Sequence, residues 1–322
     1  MNAYALVPAM TADQPSKNAF KNATLAAVTL AVFVFAIIVL QHSLAKLSMA
    51  EVLASLSAEP ARRIVGCAAF SCCSYFMLTL YDYLALRGVR HPLPWIKVAP
   101  TSFIAFAIAH SAGLSWLSGG SVRYRSYSRD GLSTLEVAGV IGLVSGTFML
   151  GVGTSLALSM LLESHQAAHI MHLDHGWQAR AVGTAVLALI LAYLVLDLVI
   201  HHPIRVLGRE IHLPPFHITI SQVAVACVDL CFCAGSLYVL LPEAMPLHFF
   251  SFVGLFVLAL QAGVISNVPG GVGVFETVLI QLLPGGPTAE VVGAVLIFRV
   301  IYYLIPLVLG VGLFAAREAL RR

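Results

Sequence analysis

The chain has 322 residues, of which 59% are hydrophobic and only 10% charged, with a formal net charge of +3. An average soluble domain carries about 25% charged residues, so this chain cannot coat a soluble globule of its own size. That excludes an ordinary soluble enzyme, a disordered chain and a nucleic-acid binder, and it points to an all-α, polytopic helical membrane protein.

Eight apolar segments follow in chain order, at about 24–41, 62–86, 97–117, 134–162, 181–200, 217–241, 247–266 and 288–316. A helix needs about 20 apolar residues to cross a bilayer core. The runs are continuous rather than alternating, which excludes transmembrane strands. The first follows a polar leader, has no small-residue cleavage site after it, and reads as a retained span. If all eight cross, one side carries nine Lys and Arg and the other eight, with Arg299 inside a segment. That near tie leaves orientation open and warns that one segment is re-entrant. The six cysteines lie in apolar segments without histidines at metal-ligand spacing, and read as packing residues.

The chain resembles itself. Ser102-Phe103, Ala112-Gly113-x-Ser115, Gly119-Gly120 and Thr134-x-Glu136-Val137-x-Gly139 recur in order as Ser251-Phe252, Ala262-Gly263 with Ser266, Gly270-Gly271 and Thr288-x-Glu290-Val291-x-Gly293. We read one transmembrane domain over 1–322 with halves at about 24–162 and 181–316. Four spans per half would make the halves parallel; three spans plus one re-entrant segment would make them inverted. Such repeats are common in transporters, with the substrate site at their interface.

The most informative stretch is Ser266-Asn267-Val268-Pro269-Gly270-Gly271-Val272-Gly273-Val274-Phe275-Glu276. Pro269 removes a backbone donor and three glycines follow, so a smooth helix cannot pass. The apolar run after it is too short to span, and a broken or re-entrant helix is expected around 267–283. At membrane depth such a break exposes N–H groups suited to a lipid phosphate; an extramembrane loop is the plainer reading. Ser118-Gly119-Gly120-Ser121 looks like the matching break in the first half, leading into Arg123 and Arg125.

Ionisable residues inside or beside apolar segments are the second signal: Asp82, Glu136, Asp197, Asp229, Glu276, Glu290 and Arg299. Each costs about 2.5–3.5 kcal/mol at a helix centre, so Asp229 and Arg299, the deepest, should face the interior. They serve either as an ion pair tying two helices or as a polar path. Asp82 with Arg87, and Asp197, read as interfacial. His165, His169, His172 and His175 read as a solvated helix face, with a metal site as the alternative. His110 reads as a hydrogen-bonded interior residue. No nucleotide-binding lysine loop, zinc-protease or serine-hydrolase motif is present, and no metal or cofactor is expected.

The glycine-proline stretch at 266–276 resembles the signature of the lysylphosphatidylglycerol synthase transmembrane family, which includes the flippase half of the multiple peptide resistance factor. Arg299-Val300-Ile301-Tyr302-Tyr303-Leu304-Ile305-Pro306 resembles its last-helix motif. Tyr81-Asp82-Tyr83-Leu84-Ala85-Leu86-Arg87 and Val122-Arg123-Tyr124-Arg125-Ser126-Tyr127 resemble earlier ones, over most of residues 60–310. The resemblance implies translocation of an aminoacylated phosphatidylglycerol, of lysyl or alanyl type, between leaflets of the bacterial cytoplasmic membrane, with both termini cytoplasmic. Asp82, Asp229 and Glu276 would meet the amine. Arg123, Arg125, Arg299 and the break at Asn267, Pro269, Gly270, Gly271 and Gly273 would meet the phosphate. The chain ends at Arg322 without the family's aminoacyl-transfer domain, so no enzyme activity is expected; a synthase or a second copy are the expected partners. A non-transporting scaffold and a membrane enzyme on a lipid or polyprenyl substrate are the alternatives.

Overall fold

The computed structural model describes residues 49–112, 115–171, 173–199, 204–206, 209–211, 214–286 and 288–320. The segment at 24–41 lies outside them. Among the described residues the architecture is all-helical apart from a hairpin of two three-residue strands, Ile204–Val206 with Arg209–Ile211.

After the short α1 (Met49–Ala58) come α2 (Ala61–Gly88), α3 (Trp95–Ala112), α4 (Ser115–Tyr127), α5 (Thr134–Leu162), α6 (Ser164–Ile170) and α7 (Gly176–Val199). Beyond the hairpin lie α8 (Phe216–Tyr238), α9 (Phe249–Ile265), α10 (Val274–Leu282), α11 (Ala289–Phe298), a π-turn (Arg299–Leu304) and α12 (Ile305–Ala319). Among the described residues five helices are long and apolar enough to cross a membrane: α2, α5, α7, α8 and the run Ala289–Arg317. At 1.5 Å per residue α2 is about 42 Å long, whereas α4 reaches about 20 Å and α10 about 14 Å, both short of a bilayer core.

The short helices fold back on their predecessors. A Cβ on Gly119 of α4 would sit 3.1 Å from both Ala105 O and Ala109 Cβ of α3, so α3 and α4 form a helical hairpin. The expected segment at 97–117 is therefore the first arm of a hairpin and the start of its second. Gly119 and Gly120 lie inside α4, not at a break; Gly119 is small to let the arms meet, and Gly120 faces Ile141 of α5. In the second hairpin, α9 and α10, the break falls at 266–273 as expected. The order long helix, hairpin, long helix thus occurs twice: α2, α3–α4, α5 and α8, α9–α10, α11–α12. The repeated Thr-x-Glu motif starts the closing helix each time. Ser133 caps α5 in a reciprocal box with Glu136, and Thr288 caps α11 through Val291 N–H. Glu136 and Glu290 are therefore first-turn residues rather than members of a buried polar path.

Packing between membrane helices is van der Waals, helped by small residues. A Cβ on Gly151 would come within 2.4 Å of Ala226, and one on Gly254 within 2.2 Å of Ser159 Oγ. These contacts lock α5 to α8 and to α9. Helix α7 lies outermost, with Leu189 72% and Val199 67% exposed, as lipid-facing residues should be.

Candidate functional site

The second hairpin breaks because four residues adopt left-handed backbone: Asn267 (φ 55°), Gly270 (62°), Gly271 (59°) and Gly273 (82°). Asparagine tolerates this region. Gly271 is required twice over, since a Cβ there would lie 3.0 Å from the Cα of Gly263 in α9.

Several polar groups released by the break find partners within the protein. Glu276 Oε2 accepts from Gly273 N–H at 2.8 Å. Arg299 donates Nε to Glu276 Oε1 at 2.5 Å and Nη1 to Gly270 O at 2.6 Å. Its guanidinium lies over the rings of Tyr303 and Phe275. Arg299 therefore pairs with Glu276 and not with Asp229, because α10 carries the nearer carboxylate. The Gly273 N–H expected to meet a phosphate is already occupied.

The first half holds a second pair. Arg123 of α4 reaches both oxygens of Asp82 in α2 at 2.8–3.0 Å, and Tyr127 Oη donates to Asp82 Oδ2 at 2.7 Å. Asp82 is fully buried, not interfacial. Arg87 lies over the Tyr83 ring instead. Arg125 points away from Arg123, as a separation of two residues on a helix requires. It lies exposed beside the Phe314 ring and does not share the site of Arg123.

Asp229 of α8 is buried and accepts from Ser74 Oγ at 2.6 Å and Tyr81 Oη at 3.1 Å. Ser74 Oγ also lies 2.8 Å from Tyr302 Oη. Tyr302 is held by a backbone consequence of Pro306: proline lacks the N–H that would bond the carbonyl four residues earlier. Tyr302 O is freed and accepts from Tyr75 Oη at 3.1 Å.

The two hairpin tips meet. A Cβ on Gly270 would lie 3.6 Å from His110 O and 3.7 Å from Ser111 O. Beside this junction is a cavity of about 270 Å³ lined by both halves. Its polar lining includes Arg123, His110, Tyr81, Asp229, Asn267, Tyr302 and Tyr303, with the backbone of Gly270 and Gly271. Its apolar wall includes Phe106, Phe148, Leu260 and Phe275. Three lining residues, Ser145 and Met149 of α5 and Val264 of α9, are exposed on the outer surface. The cavity therefore reaches the surface between α5 and α9.

Of the residues expected at the site, Arg123, Asp229, Asn267, Gly270 and Gly271 line this cavity. Asp82 stands behind Arg123; Pro269, Gly273, Glu276 and Arg299 shape the break. Sequence reasoning missed Ser74 and Tyr81 as partners of Asp229, and Tyr302 as the partner of Ser74, although tyrosines spaced along apolar helices were a usable signal. His110 stacks on Tyr302, ring centroids 5.9 Å apart, and its Nδ1 finds no hydrogen-bond partner among the described residues. Asp197 is buried. In the histidine group, His172 and the side chain of His169 lie outside the described residues. No group of three potential metal ligands occurs among the described residues.

No family model matches the chain. Among individual relatives, the chain is 35% identical to the uncharacterized protein slr0712 of Synechocystis over 283 residues, 88% of each chain. It is 29% identical to the inner membrane protein YbhN of Escherichia coli, over 76% of this chain and 77% of that one. It is 24% identical to a phosphatidylglycerol lysyltransferase of Staphylococcus haemolyticus, over 86% of this chain but only 32% of that protein. The match thus covers about a third of the lysyltransferase, and the segment matched here is a bundle of apolar helices with two hairpins. This multi-pass membrane protein belongs to the lysylphosphatidylglycerol synthase transmembrane family.

Proposed function

We propose that the protein moves a phospholipid with an amine-bearing headgroup, of the aminoacylated phosphatidylglycerol class, between the leaflets of a bacterial inner membrane. The observation that carries this reading is the cavity at the hairpin junction. It holds a carboxyl, Asp229, and a guanidinium, Arg123, in one space that reaches the surface at Ser145, Met149 and Val264, an opening that in this reading faces lipid sideways. A headgroup with both phosphate and ammonium needs both charges. A sideways opening lets the acyl chains stay in lipid, which a solute transporter has no need for. The named activity of the staphylococcal relative on phosphatidylglycerol adds support.

In this reading the halves are inverted. Each contains one helical hairpin between long helices, and α7 adds one further crossing between them. The hairpins then enter from opposite faces and meet near the middle, consistent with Gly270 lying against the carbonyls of residues 110 and 111. Asp82, Glu276 and Arg299 hold the hairpins in place, while Asp229 and Arg123 face the headgroup.

The test is lipid exposure in cells that also contain an intact lysylphosphatidylglycerol synthase. Asp229→Asn is expected to lower outer-leaflet lysylphosphatidylglycerol about tenfold to a hundredfold in rate, since loss of one charge-assisted hydrogen bond removes about 1.5–3 kcal/mol. Unchanged exposure with the variant folded would contradict the assignment.

A further inference from the structure

Three acids sit around the two hairpins, and two of them have an arginine. Asp82 is gripped by Arg123 and Glu276 by Arg299. Asp229 is as deeply buried, yet among the described residues it has no cation partner. Its two oxygens accept only from neutral hydroxyls, Ser74 Oγ and Tyr81 Oη. A carboxylate removed from water is paired, bound to a metal or protonated. Asp229 also lines the cavity, so its missing counter-charge can arrive from there.

We infer that Asp229 is a proton-binding site whose proton exchanges with the cavity and is displaced by the amine of the lipid, coupling lipid movement to proton movement in the opposite direction. This rests on the amine-lipid reading above. With the cavity empty of amine, the Asp229 carboxylate takes a proton from hydronium there; one O–H bond forms and one water is left. When an ammonium enters, the carboxyl returns that proton to water and the carboxylate accepts from the N–H instead. One positive charge replaces another, so the buried acid is never left bare.

The surroundings suit this exchange. Ser74 Oγ touches both Asp229 Oδ1 and Tyr302 Oη, and a hydroxyl can donate and accept at once. Tyr81 and Tyr302 both line the cavity. The other titratable groups near the carboxyl are Tyr75 from α2, and Cys231 and Cys233 on its own helix. His110 of the first hairpin faces it across Tyr302. Helix α9 contains no charged residue, and α5 only Glu136 at its first turn. The one fixed cation lining the same cavity among the described residues is Arg123 of α4, and its charge is already matched by Asp82.

The test uses the full chain in liposomes containing lysylphosphatidylglycerol, with the membrane potential shunted and leaflet position read by a membrane-impermeant amine reagent. Exchange of one proton per lipid shifts the steady-state leaflet ratio about tenfold toward the acidic side for a gradient of one pH unit. Asp229→Glu keeps this shift and Asp229→Asn loses it. The inference is overturned if lipid moves but the wild-type ratio ignores the gradient, if Asp229→Asn retains the shift, or if a sodium gradient alone drives it. Absence of any lipid movement would instead remove the translocation reading. The proton site is then read by infrared titration in detergent. A carboxylic C=O band must rise as pH falls, disappear in Asp229→Asn, and change frequency in Tyr81→Phe, which removes one hydrogen-bond partner. A wild-type protein without the band, or a band indifferent to Tyr81→Phe, overturns the inference.

Discussion

Arg123 and Asp82 are 41 residues apart in sequence and joined by three hydrogen bonds of 2.8–3.0 Å inside the bundle. The pair fastens the second arm of the first hairpin to the long helix α2. It also turns one edge of the guanidinium toward the cavity, with the Phe106 ring 4.6 Å below it.

Removing one member leaves the other charge buried, which costs about 3–5 kcal/mol, whereas removing both together is often tolerated. Asp82→Asn and Arg123→Gln are each expected to lower the thermal midpoint in detergent, and Asp82→Asn with Arg123→Gln to recover most of the loss. Additive losses in the double variant would show that the two residues act independently.

The break in the second hairpin depends on backbone that side chains resist. Gly271→Ala puts a Cβ at positive φ, costing about 1–2 kcal/mol, and drives it to 3.0 Å from Gly263 Cα. Gly142→Ala lies on α5 with nothing within 4 Å and should leave stability unchanged. Thermal melts of the two variants side by side check this; equal behaviour would mean that the hairpin does not close as described.

Glu276 both caps α10 and neutralises Arg299. Glu276→Gln keeps an acceptor for Gly273 N–H but strips the guanidinium of its counter-charge. It is expected to lower the thermal midpoint, in contrast with the sequence-based expectation that Glu276 would serve the lipid amine directly. Arg299→Lys is expected to be similarly harmful, since a single ammonium cannot reproduce the fork that reaches Glu276 and Gly270 O together. A wild-type melting curve for Glu276→Gln would return that acid to the substrate.

The side opening makes a spatial prediction. Val264→Trp adds bulk at the mouth between α5 and α9, so it should cut lipid exposure while leaving the melting curve near wild type. Ile265→Trp, on the neighbouring position that does not line the cavity, should do neither. If both variants transport normally, lipid does not enter between α5 and α9.

The broken helix was legible because its causes are local: Pro269 and the glycines at 270, 271 and 273 act on their own backbone. The first hairpin was not, because its glycines misled. Gly119 and Gly120 resemble a breaker in sequence but remain helical, and what they supply is room, Gly119 for α3 and Gly120 for Ile141 of α5. The polar partners were also out of reach. Asp82 with Arg123 and Asp229 with Ser74 join residues 41 and 155 positions apart. Depth within apolar sequence suggested Asp229 as the partner of Arg299. Only the fold of α10 against the π-turn decides for Glu276. The freed carbonyl of Tyr302 could have been anticipated from Pro306, but not the Tyr75 hydroxyl that meets it.

In the proposed function this bundle by itself carries an amine-headed phospholipid across the bilayer. The most direct measurement is made on purified protein in liposomes with lysylphosphatidylglycerol in both leaflets, treated with a membrane-impermeant amine reagent. The account predicts that the wild-type protein makes nearly the whole amine-lipid pool reactive, while Val264→Trp vesicles stop at the outer-leaflet share. Labelling that stops at the outer-leaflet share with the wild-type protein as well would contradict it.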